Sequence, residues 1–243
     1  MIRALLVCAW YSVFTFFAGL LFIPWTIIRN DITLLYNLAM WGALFGVRLG
    51  GVRVQIVGRE RLDPQQNYVF MCNHTSNLDP PIVVPLLPRP PRTSVLVKKE
   101  LFRIPLLGTA MRLGKLVPVN RRNRDAAVES VRTASSVLRG GLHMTIFPEG
   151  TRSYDGRLLP FKKGPFYLAL DAGLPIVPMT IVGTHELWPK GRFAIKPGSV
   201  TLHFHEPMDP KRFSSREELM AAVRAKIESA LPEQMRMPGI APA

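Results

Sequence analysis

The chain has 243 residues, of which 48% are hydrophobic and 20% charged, a composition that excludes intrinsic disorder as its main state. Its 31 lysines and arginines against 17 acids give a net charge of +14. Such an excess favours a polyanionic partner: nucleic acid, an anionic membrane surface, or an acidic protein or substrate. The cysteines Cys8 and Cys72 are too few for a disulfide framework or a cysteine-based zinc site, and we expect neither a metal nor a cofactor.

Two uncharged segments open the chain. Ala4–Ile28 has 25 residues, long enough to cross a hydrocarbon core of about 30 Å as a helix. Ile32–Val47 would reach only about 24 Å. Residues 1–48 therefore predict a two-helix membrane anchor, either a transmembrane hairpin or two helices sunk into one leaflet. A cleaved signal peptide and a hairpin buried in a soluble protein are the alternatives.

The orientation of this anchor follows from its flanking charges. Both anchor arrangements return the chain to the side on which it starts, so Arg3 and Arg48 lie on the same side as the basic remainder of the chain. The positive-inside rule places that side in the cytoplasm. We therefore expect a protein of the inner membrane whose main domain faces the cytoplasm.

Residues 49–231 alternate short β-rich segments with helical ones, which predicts an α/β domain with a largely parallel sheet flanked by helices. The predicted strands are Val52–Val57, Tyr68–Cys72, Ser94–Val97, Leu116–Val119, Met144–Phe147, Ile176–Val182 and Val200–His205. The predicted helices include Arg124–Arg139, Gly164–Ala172 and a last one that Ser214 and Glu217 open as a capping box and that ends near Ala230. Residues 232–243 are predicted to be a flexible tail.

The loop after the second predicted strand carries residue types suited to acid–base chemistry, and in an α/β fold function concentrates at strand ends. Pro80 suits the first turn of a helix with Asp79 as its N-cap, which leaves His74 in a loop that can curl back. The Asp79 carboxylate would bind one imidazole nitrogen, and the other nitrogen would take a proton from a substrate hydroxyl. The simpler alternative is that Asp79 only caps the helix and His74 only bonds to the backbone.

Charged residues gather at the ends of other predicted strands. They are Lys98, Lys99, Arg121, Glu149, Arg152, Lys162 and Lys163. Arginine binds phosphate with two parallel hydrogen bonds and lysine acts as a point charge, so this group favours a phosphate monoester ligand. A membrane-facing basic patch explains the same residues equally well.

Four segments together resemble the glycerolipid acyltransferase family, and within it the 1-acyl-sn-glycerol-3-phosphate acyltransferases. They are NHTSNLD at 73–79, KLVPVNR at 115–121, FPEGTRS at 147–153 and IVPMTI at 176–181. A lone His-x-x-x-x-Asp is a weak signal, but all four motifs in the family's order are specific. The second motif departs from the family pattern at Pro118 and at Gly114, which stands one place before the usual glycine.

The resemblance implies transfer of an acyl group from a thioester, carried on coenzyme A or on acyl carrier protein, to the sn-2 hydroxyl of lysophosphatidic acid. His74 would be the general base, and Asp79 would orient it. The resemblance assigns Arg121, Glu149, Gly150, Thr151 and Arg152 to the phosphate-bearing acceptor. Lys98 and Lys99, which match the family pattern less closely, would help to bind it. It assigns Pro178 to the acyl-donor region.

Several functions compete with this one. The acceptor could instead be glycerol 3-phosphate or another lysolipid. A serine lipase or thioesterase is disfavoured because the chain has no G-x-S-x-G elbow. A non-catalytic protein that binds anionic lipid is the alternative from another class. The apolar N-terminus counts against a nucleic-acid binder, and the basic stretch Arg89–Arg124, with ten basic residues and one acid, suits an anionic bilayer or an acidic carrier protein.

Overall fold

A computed structural model describes residues 1–89, 92–119 and 124–236, without the side chains of residues 124–128. The strands are β1 (Val52–Val57), β2 (Val69–Cys72), β3 (Thr93–Lys98), β4 (Val117–Val119), β5 (His143–Ile146), β6 (Ile176–Val182) and β7 (Gly198–Phe204). The helices are α1 (Ile2–Arg29), α2 (Thr33–Leu49), α3 (Asp79–Leu86), α4 (Leu107–Leu113), α5 (Arg124–Arg139), α6 (Gly164–Ala172), α7 (Thr184–Leu187) and α8 (Arg216–Ser229).

The seven strands form one sheet in the order β1-β7-β6-β2-β5-β3-β4. Strands β2 to β6 run parallel to one another, and β7 pairs antiparallel with β6 and parallel with β1. The prediction of a largely parallel sheet flanked by helices is confirmed. Because β2, β5 and β6 lie side by side and point the same way, the loops that follow them meet at one edge of the sheet.

The central strand β2 shows why this sheet is buried on both faces. All four of its residues are buried, and they alternate between two cores. Val69 and Met71 pack in the core that helices α5, α6 and α8 cover. Phe70 and Cys72 pack in the other core, with residues of α1, α2 and α3.

Predicted and observed elements agree to within two residues for the strands, and β1, β6, α5 and α6 have the predicted bounds. The capping box of α8 lies one residue later than predicted. Ser215 is the N-cap and accepts the Glu218 N–H at 3.1 Å, because Glu218, and not Glu217, stands three residues after it. Glu218 in turn accepts the Ser214 N–H at 2.8 Å.

The predicted flexible tail is wrong for residues 232–236. Glu233–Met235 forms a 3-10 turn, and the Met235 side chain is buried in the core under α8. Its carbonyl also accepts a hydrogen bond from Leu158 N at 2.9 Å. An apolar side chain that the core can bury outweighs the loop-like composition around it. Residues 237–243 lie outside the described residues.

Helices α1 and α2 form a close antiparallel hairpin. Trp10 Nε1 donates to the Gly42 carbonyl, and the Tyr11 hydroxyl donates to the Ala43 carbonyl, both at 2.9 Å. A Cβ added at Gly46 would lie 2.5 Å from the Tyr11 ring. Small residues one turn apart on α2 therefore let an aromatic face of α1 approach the backbone.

The hairpin is also docked on the α/β domain. Ala4 and Val7 of α1 are fully buried in the domain core, and the Tyr36 hydroxyl of α2 accepts the Thr93 N–H at 3.1 Å. The outer face of α1 is apolar and exposed from end to end, with Leu5, Leu6, Val13, Phe16, Phe17, Leu20, Leu21, Trp25, Ile27 and Ile28. Within the described residues, α1 is the one helix long and apolar enough to cross a membrane.

His143 at the start of β5 is a buried histidine remote from the loops that follow the parallel strands. Its Nδ1 accepts the Tyr68 N–H at 3.2 Å, and its ring meets Phe70 edge-on. Burial lowers the pKa of His143 to about 4. An unfolded histidine has a pKa of about 6.5. The unfolded chain therefore binds a proton more readily, and the stability that neutral His143 contributes is lost as the pH falls from about 6.5 to about 4.

We expect the thermal midpoint of the wild type to fall by several degrees relative to that of His143→Gln between pH 7 and pH 5. The amide oxygen of the glutamine can still accept the Tyr68 N–H, but the amide does not titrate. Calorimetry of both proteins in the same detergent measures the two profiles. Parallel profiles would show that His143 is not responsible for the acid sensitivity.

Candidate active site

The loop between β2 and α3 is fixed by hydrogen bonds to distant parts of the chain. The Asn73 amide pairs with both backbone groups of Ile181, with distances of 2.9 and 2.8 Å. The Ser76 hydroxyl donates to the Trp188 carbonyl at 2.7 Å. Because its two ends are held in this way, the loop presents His74 in one orientation at the edge of the sheet.

The structure brings His74 and Asp79 together. His74 Nδ1 lies 2.8 Å from Asp79 Oδ2, which also accepts the N–H groups of Thr75 at 2.7 Å and Ser76 at 2.8 Å. Asp79 is the first residue of α3 rather than its N-cap, which is Leu78. The carboxylate turns back into the loop, so the alternative in which Asp79 only caps the helix is wrong.

This arrangement fixes the tautomer of the histidine. The Asp79 carboxylate accepts two N–H bonds and a hydroxyl bond and has no proton to donate, so it accepts from Nδ1 and the imidazole proton resides there. Among the described residues, His74 Nε2 has no partner, and the side chain is 10% exposed. An imidazole held in this way can take a proton from a hydroxyl that reaches Nε2.

Thr184 is a member of this network that sequence reasoning missed. Its hydroxyl donates to the second carboxylate oxygen, Asp79 Oδ1, at 2.6 Å, and lies 3.1 Å from the Thr75 hydroxyl. Thr184 is fully buried at the start of α7, just after β6. Its place at the end of a parallel strand was the signal available in the sequence, because β6 and β2 end at the same edge.

The FPEGTRS loop after β5 contacts both the ring and the backbone of His74. The Phe147 ring stacks on the imidazole with centroids 4.2 Å apart. Ser153 N–H donates to the His74 carbonyl at 3.0 Å, and Glu149 Oε1 accepts the His74 N–H at 2.6 Å. Both backbone groups of the histidine are therefore held by one loop.

Glu149 faces the backbone rather than open space. Its second oxygen, Oε2, accepts the Leu159 N–H at 2.8 Å, and the residue is 1% exposed. Burial, with a smaller contribution from the Asp79 charge, raises the pKa of Glu149 to about 8, against the lowering effects of the two N–H bonds and of the Arg224 charge. The sequence placed Glu149 at the acceptor phosphate, whereas its contacts tie the His74 loop to the segment after FPEGTRS.

A cavity of about 500 Å³ opens in front of His74. The apolar residues that line it are Pro80, Val84, Val95, Leu96, Val97, Leu101, Met111, Leu116 and Phe147. Lys98 and Arg152 line it too, together with Ser76 and Asn77. The volume is in the range of ordinary ligand sites, and a mixed apolar and cationic lining suits an amphipathic anion.

The two cations of this cavity come from different strand ends. Arg152, from the FPEGTRS loop, bonds through Nη1 to Asn77 Oδ1 across the cavity. Lys98 ends β3, and its Nζ lies 3.7 Å from Glu100 Oε1 in an exposed pair. The structure thus places two of the predicted phosphate ligands beside His74.

The other predicted acceptor residues lie farther apart. Gly150 adopts a φ of +71° and lines an adjoining cavity of about 230 Å³ with Lys162. Lys99 lines a separate hollow with Arg103 and Arg112. Arg121 lies outside the described residues.

Thr151 and Pro178 contact neither of the two cavities near His74. Thr151 is exposed, and its hydroxyl lies 3.4 Å from Lys190 Nζ. Pro178 is buried inside β6, and its carbonyl accepts the His205 N–H at 3.0 Å. A role for Pro178 in the donor region stays a prediction.

Lys190 is a second residue that sequence reasoning missed. Its Nζ donates to the Arg152 carbonyl at 2.8 Å and lies 3.7 Å from the centre of the Tyr154 ring. It therefore braces the backbone of the loop that carries Arg152. The sequence offered only its position in a turn-rich segment, which does not reveal this partner.

Comparison with known proteins shows the family and the fold that this chain resembles. The Acyltransferase family model matches residues 53–182, the span that holds all four sequence motifs. The crystal structure of the 1-acyl-sn-glycerophosphate (LPA) acyltransferase PlsC from Thermotoga maritima is similar, with a TM-score of 0.75 and 30% identity over 94% of each chain.

Relatives from plants and bacteria are similar in sequence. The 1-acyl-sn-glycerol-3-phosphate acyltransferase of Limnanthes alba is 38% identical over 190 residues, which are 78% of this chain and 66% of that protein. The protein of the same description from Borreliella burgdorferi is 33% identical over 75% of this chain and 73% of its own length. The chain thus spans slightly less than two thirds of the Limnanthes relative.

Proposed function

Because this chain belongs to the acyltransferase family, we propose that it moves a fatty acyl group from a thioester to the sn-2 hydroxyl of lysophosphatidic acid, giving phosphatidic acid for phospholipid biosynthesis. The observation that carries this proposal is the His74–Asp79 pair on the wall of a cavity that Lys98 and Arg152 also line. An acceptor that bears both a hydroxyl and a phosphate needs a base and cations within one cavity.

In the proposed reaction the acceptor hydroxyl gives its proton to His74 Nε2 while its oxygen attacks the thioester carbonyl carbon. The tetrahedral intermediate collapses, the carbon–sulfur bond breaks, and the departing thiolate takes the proton from Nε2. Asp79 remains ionised and stabilises the imidazolium that exists between these two proton transfers. Attack is direct, so no acyl-enzyme forms.

The phosphate of the acceptor is bound, in this proposal, by Arg152 and Lys98. Arg152 supplies two parallel donors, and Lys98 adds a mobile positive charge. The acyl chain of the acceptor then lies along the apolar side of the same cavity. Arg121 and Thr151 are proposed to contribute to acceptor binding on their motif positions alone, whereas Lys99 and Gly150 line the cavities proposed for the donor.

The donor is a thioester of coenzyme A or of acyl carrier protein. The basic hollow of Lys99, Arg103 and Arg112 supports an anionic donor, because both carriers are negatively charged. The adjoining apolar cavity at Gly150 and the fourth motif at Pro178 are the proposed donor region. No cofactor is needed beyond this co-substrate.

Membrane association is proposed through the hairpin of α1 and α2. Its outer face is apolar, while Gly19 in the middle of α1 packs on Leu106, which lies between Arg103 and the start of α4, the helix that carries Arg112. An α1 that crossed the bilayer would carry these arginines into the hydrocarbon, which is costly. The contacts therefore favour a hairpin that lies in one leaflet, with the active site facing the cytoplasmic surface of the inner membrane.

The test is a product assay in detergent micelles, with mass spectrometry of the lipids. The protein receives oleoyl-coenzyme A or oleoyl acyl carrier protein, with lysophosphatidic acid, glycerol 3-phosphate or lysophosphatidylcholine as acceptor. We expect phosphatidic acid from lysophosphatidic acid, and at least about tenfold less product from lysophosphatidylcholine, whose zwitterionic headgroup has no phosphate monoester for Arg152 to bind.

Each other result points to one alternative. Faster acylation of glycerol 3-phosphate, or of lysophosphatidylcholine, would change the acceptor and keep the chemistry. Free fatty acid without an acylated lipid would indicate a thioesterase. The absence of any product with both donors would support the non-catalytic protein that binds anionic lipid.

A further inference from the structure

A second group of cations lies at the sheet edge opposite to His74. Arg59, Arg89 and Arg92 line a cavity of about 700 Å³, here named the arginine cavity. Arg92 directly precedes β3, and Arg59 follows the end of β1, which runs in the opposite direction. A strand of five or six residues is roughly 17–20 Å long, so this cavity is remote from the catalytic pair.

The three guanidinium groups are incompletely satisfied. Arg59 Nη2 reaches the Leu87 carbonyl and Arg89 Nη1 reaches Asn37 Oδ1, both at a long 3.4 Å. Within the described part of the chain, none of the three arginines has a carboxylate within the 4 Å of an ion pair. Each guanidinium has five N–H donors, so most donors remain available to a ligand.

One carboxylate, Asp31, shares the arginine cavity. It already accepts the Thr33 N–H at 2.9 Å and the Thr33 hydroxyl at 2.7 Å within the turn of the hairpin. These bonds lower the pKa of Asp31, so its one negative charge faces the positive charges of three arginines. The cavity keeps a net positive charge that an anion can neutralise.

The surroundings of the cavity indicate what kind of anion reaches it. Asp31 and Thr33 belong to the turn between α1 and α2, and the exposed apolar side chains of Ile27, Ile28 and Leu34 flank that turn. An apolar surface directly beside a cationic cavity matches a molecule with a charged head and hydrocarbon chains. A free phosphate would gain nothing from the apolar flank.

We propose that the arginine cavity binds the phosphate of one anionic membrane phospholipid, whose acyl chains lie against the apolar residues that flank the hairpin turn. This second lipid site rests on the membrane association proposed above and is independent of the acyl-transfer chemistry. It holds the sheet edge opposite to the active site against the bilayer and so fixes the tilt of the domain on the membrane.

The experiment uses the full-length protein in zwitterionic micelles, titrated with phosphatidylglycerol, phosphatidylcholine or inorganic phosphate. Native mass spectrometry counts the lipids retained by each variant. The test variant is Arg89→Gln/Arg92→Gln. The control is Arg132→Gln/Arg139→Gln, which also removes two positive charges but on α5, on the other face of the sheet.

We expect native mass spectrometry to show one retained phosphatidylglycerol fewer on the test variant than on the wild type. In the titration, the affinity of the test variant for phosphatidylglycerol should be about tenfold lower, while the affinity of the control stays within twofold of the wild type. Phosphatidylcholine should not compete. Acyl transfer to lysophosphatidic acid in micelles without phosphatidylglycerol should be unchanged in both variants. The lipid count does not depend on acyl transfer, so a failure of the enzymatic proposal would not alter it.

Three outcomes would overturn the site. Equal losses in the test and control variants would mean a general effect of surface charge. Equal retention of phosphatidylcholine and phosphatidylglycerol would mean that the headgroup is not recognised. Displacement of the lipid by millimolar inorganic phosphate would mean a site for free anions. Should the double substitution lower the thermal midpoint, Arg59→Gln alone, on an exposed side chain, repeats the test.

Discussion

His74→Gln is expected to lower the rate of acyl transfer about a thousandfold, because general-base catalysis contributes roughly a hundredfold to ten-thousandfold. The glutamine amide can still donate a hydrogen bond towards Asp79, so the loop keeps its shape. It offers no nitrogen that can take the hydroxyl proton at neutral pH. The rate at saturating acceptor measures this loss.

The matched control is His205→Gln. His205 is half-buried, and its Nε2 lies 2.9 Å from the Thr180 hydroxyl, but it follows β7 at the sheet edge opposite to His74. We expect its activity to stay within threefold of the wild type. A thermal midpoint measured for each variant separates lost chemistry from lost folding.

A second arm uses the smaller variant His74→Ala with added imidazole. The truncated side chain leaves room beside Asp79 and Phe147, which hold and stack on the ring in the wild type. Free imidazole should restore part of the activity of the variant and have no effect on the wild type. If His74→Gln kept more than a tenth of the wild-type rate, His74 would not be the base.

The sequence was a good guide wherever the relevant contacts are local. The His74–Asp79 pair spans five residues, and the proline after Asp79 already predicted a helix start that leaves the histidine in a loop. The predicted bounds of β1, β6 and α6 match the observed ones. Short-range preferences decide these features, so a single sequence contains them.

Contacts between distant residues could not be predicted in the same way. Thr184 bonds to Asp79 across 105 residues, and Lys190 bonds to Arg152 across 38. Tyr36 anchors α2 to β3 through a hydrogen bond from Thr93, which lies 57 residues away. These partners depend on which strand ends meet, and the strand order became known only with the fold.

The sequence also does not show in which direction a motif side chain points. FPEGTRS marks Glu149 and Arg152 as functional, but not which of them reaches the cavity. The structure separates the two, because Arg152 lines the cavity and Glu149 is almost completely buried. This difference leads to opposite expectations for the kinetics of their variants.

Glu149→Gln is expected to lower kcat about a hundredfold and to change the KM for lysophosphatidic acid by less than threefold. The two carboxyl oxygens accept the His74 N–H and the Leu159 N–H, and each oxygen keeps a lone pair whether or not the group is protonated, whereas an amide has only one oxygen to offer. The NH2 group then faces a backbone N–H, and an unsatisfied buried donor costs about 1–3 kcal/mol. The loop relaxes, and the imidazole moves out of reach of the acceptor hydroxyl, which lowers kcat.

Arg152→Gln should affect KM more than kcat. We expect a KM about tenfold higher and a smaller loss of kcat, because Arg152 binds the acceptor in the ground state. Glu186→Gln, on an exposed residue of α7, is the matched control for the glutamate. A raised KM in Glu149→Gln, with kcat unchanged, would place Glu149 at the acceptor, where its motif position first suggested.

The pH dependence of stability tests the burial of the Glu149 carboxyl group in the absence of substrate. Burial raises the pKa of Glu149 to about 8, from an ordinary value near 4.5. The folded chain therefore holds a proton that the unfolded chain has released, and the resulting stability is present below about 4.5 and is lost as the pH rises through about 8. The glutamine does not titrate, so the wild type should lose stability relative to Glu149→Gln between pH 6 and pH 9. A constant difference in thermal midpoint would mean that the carboxyl is solvated, and the positioning role would lose its physical basis.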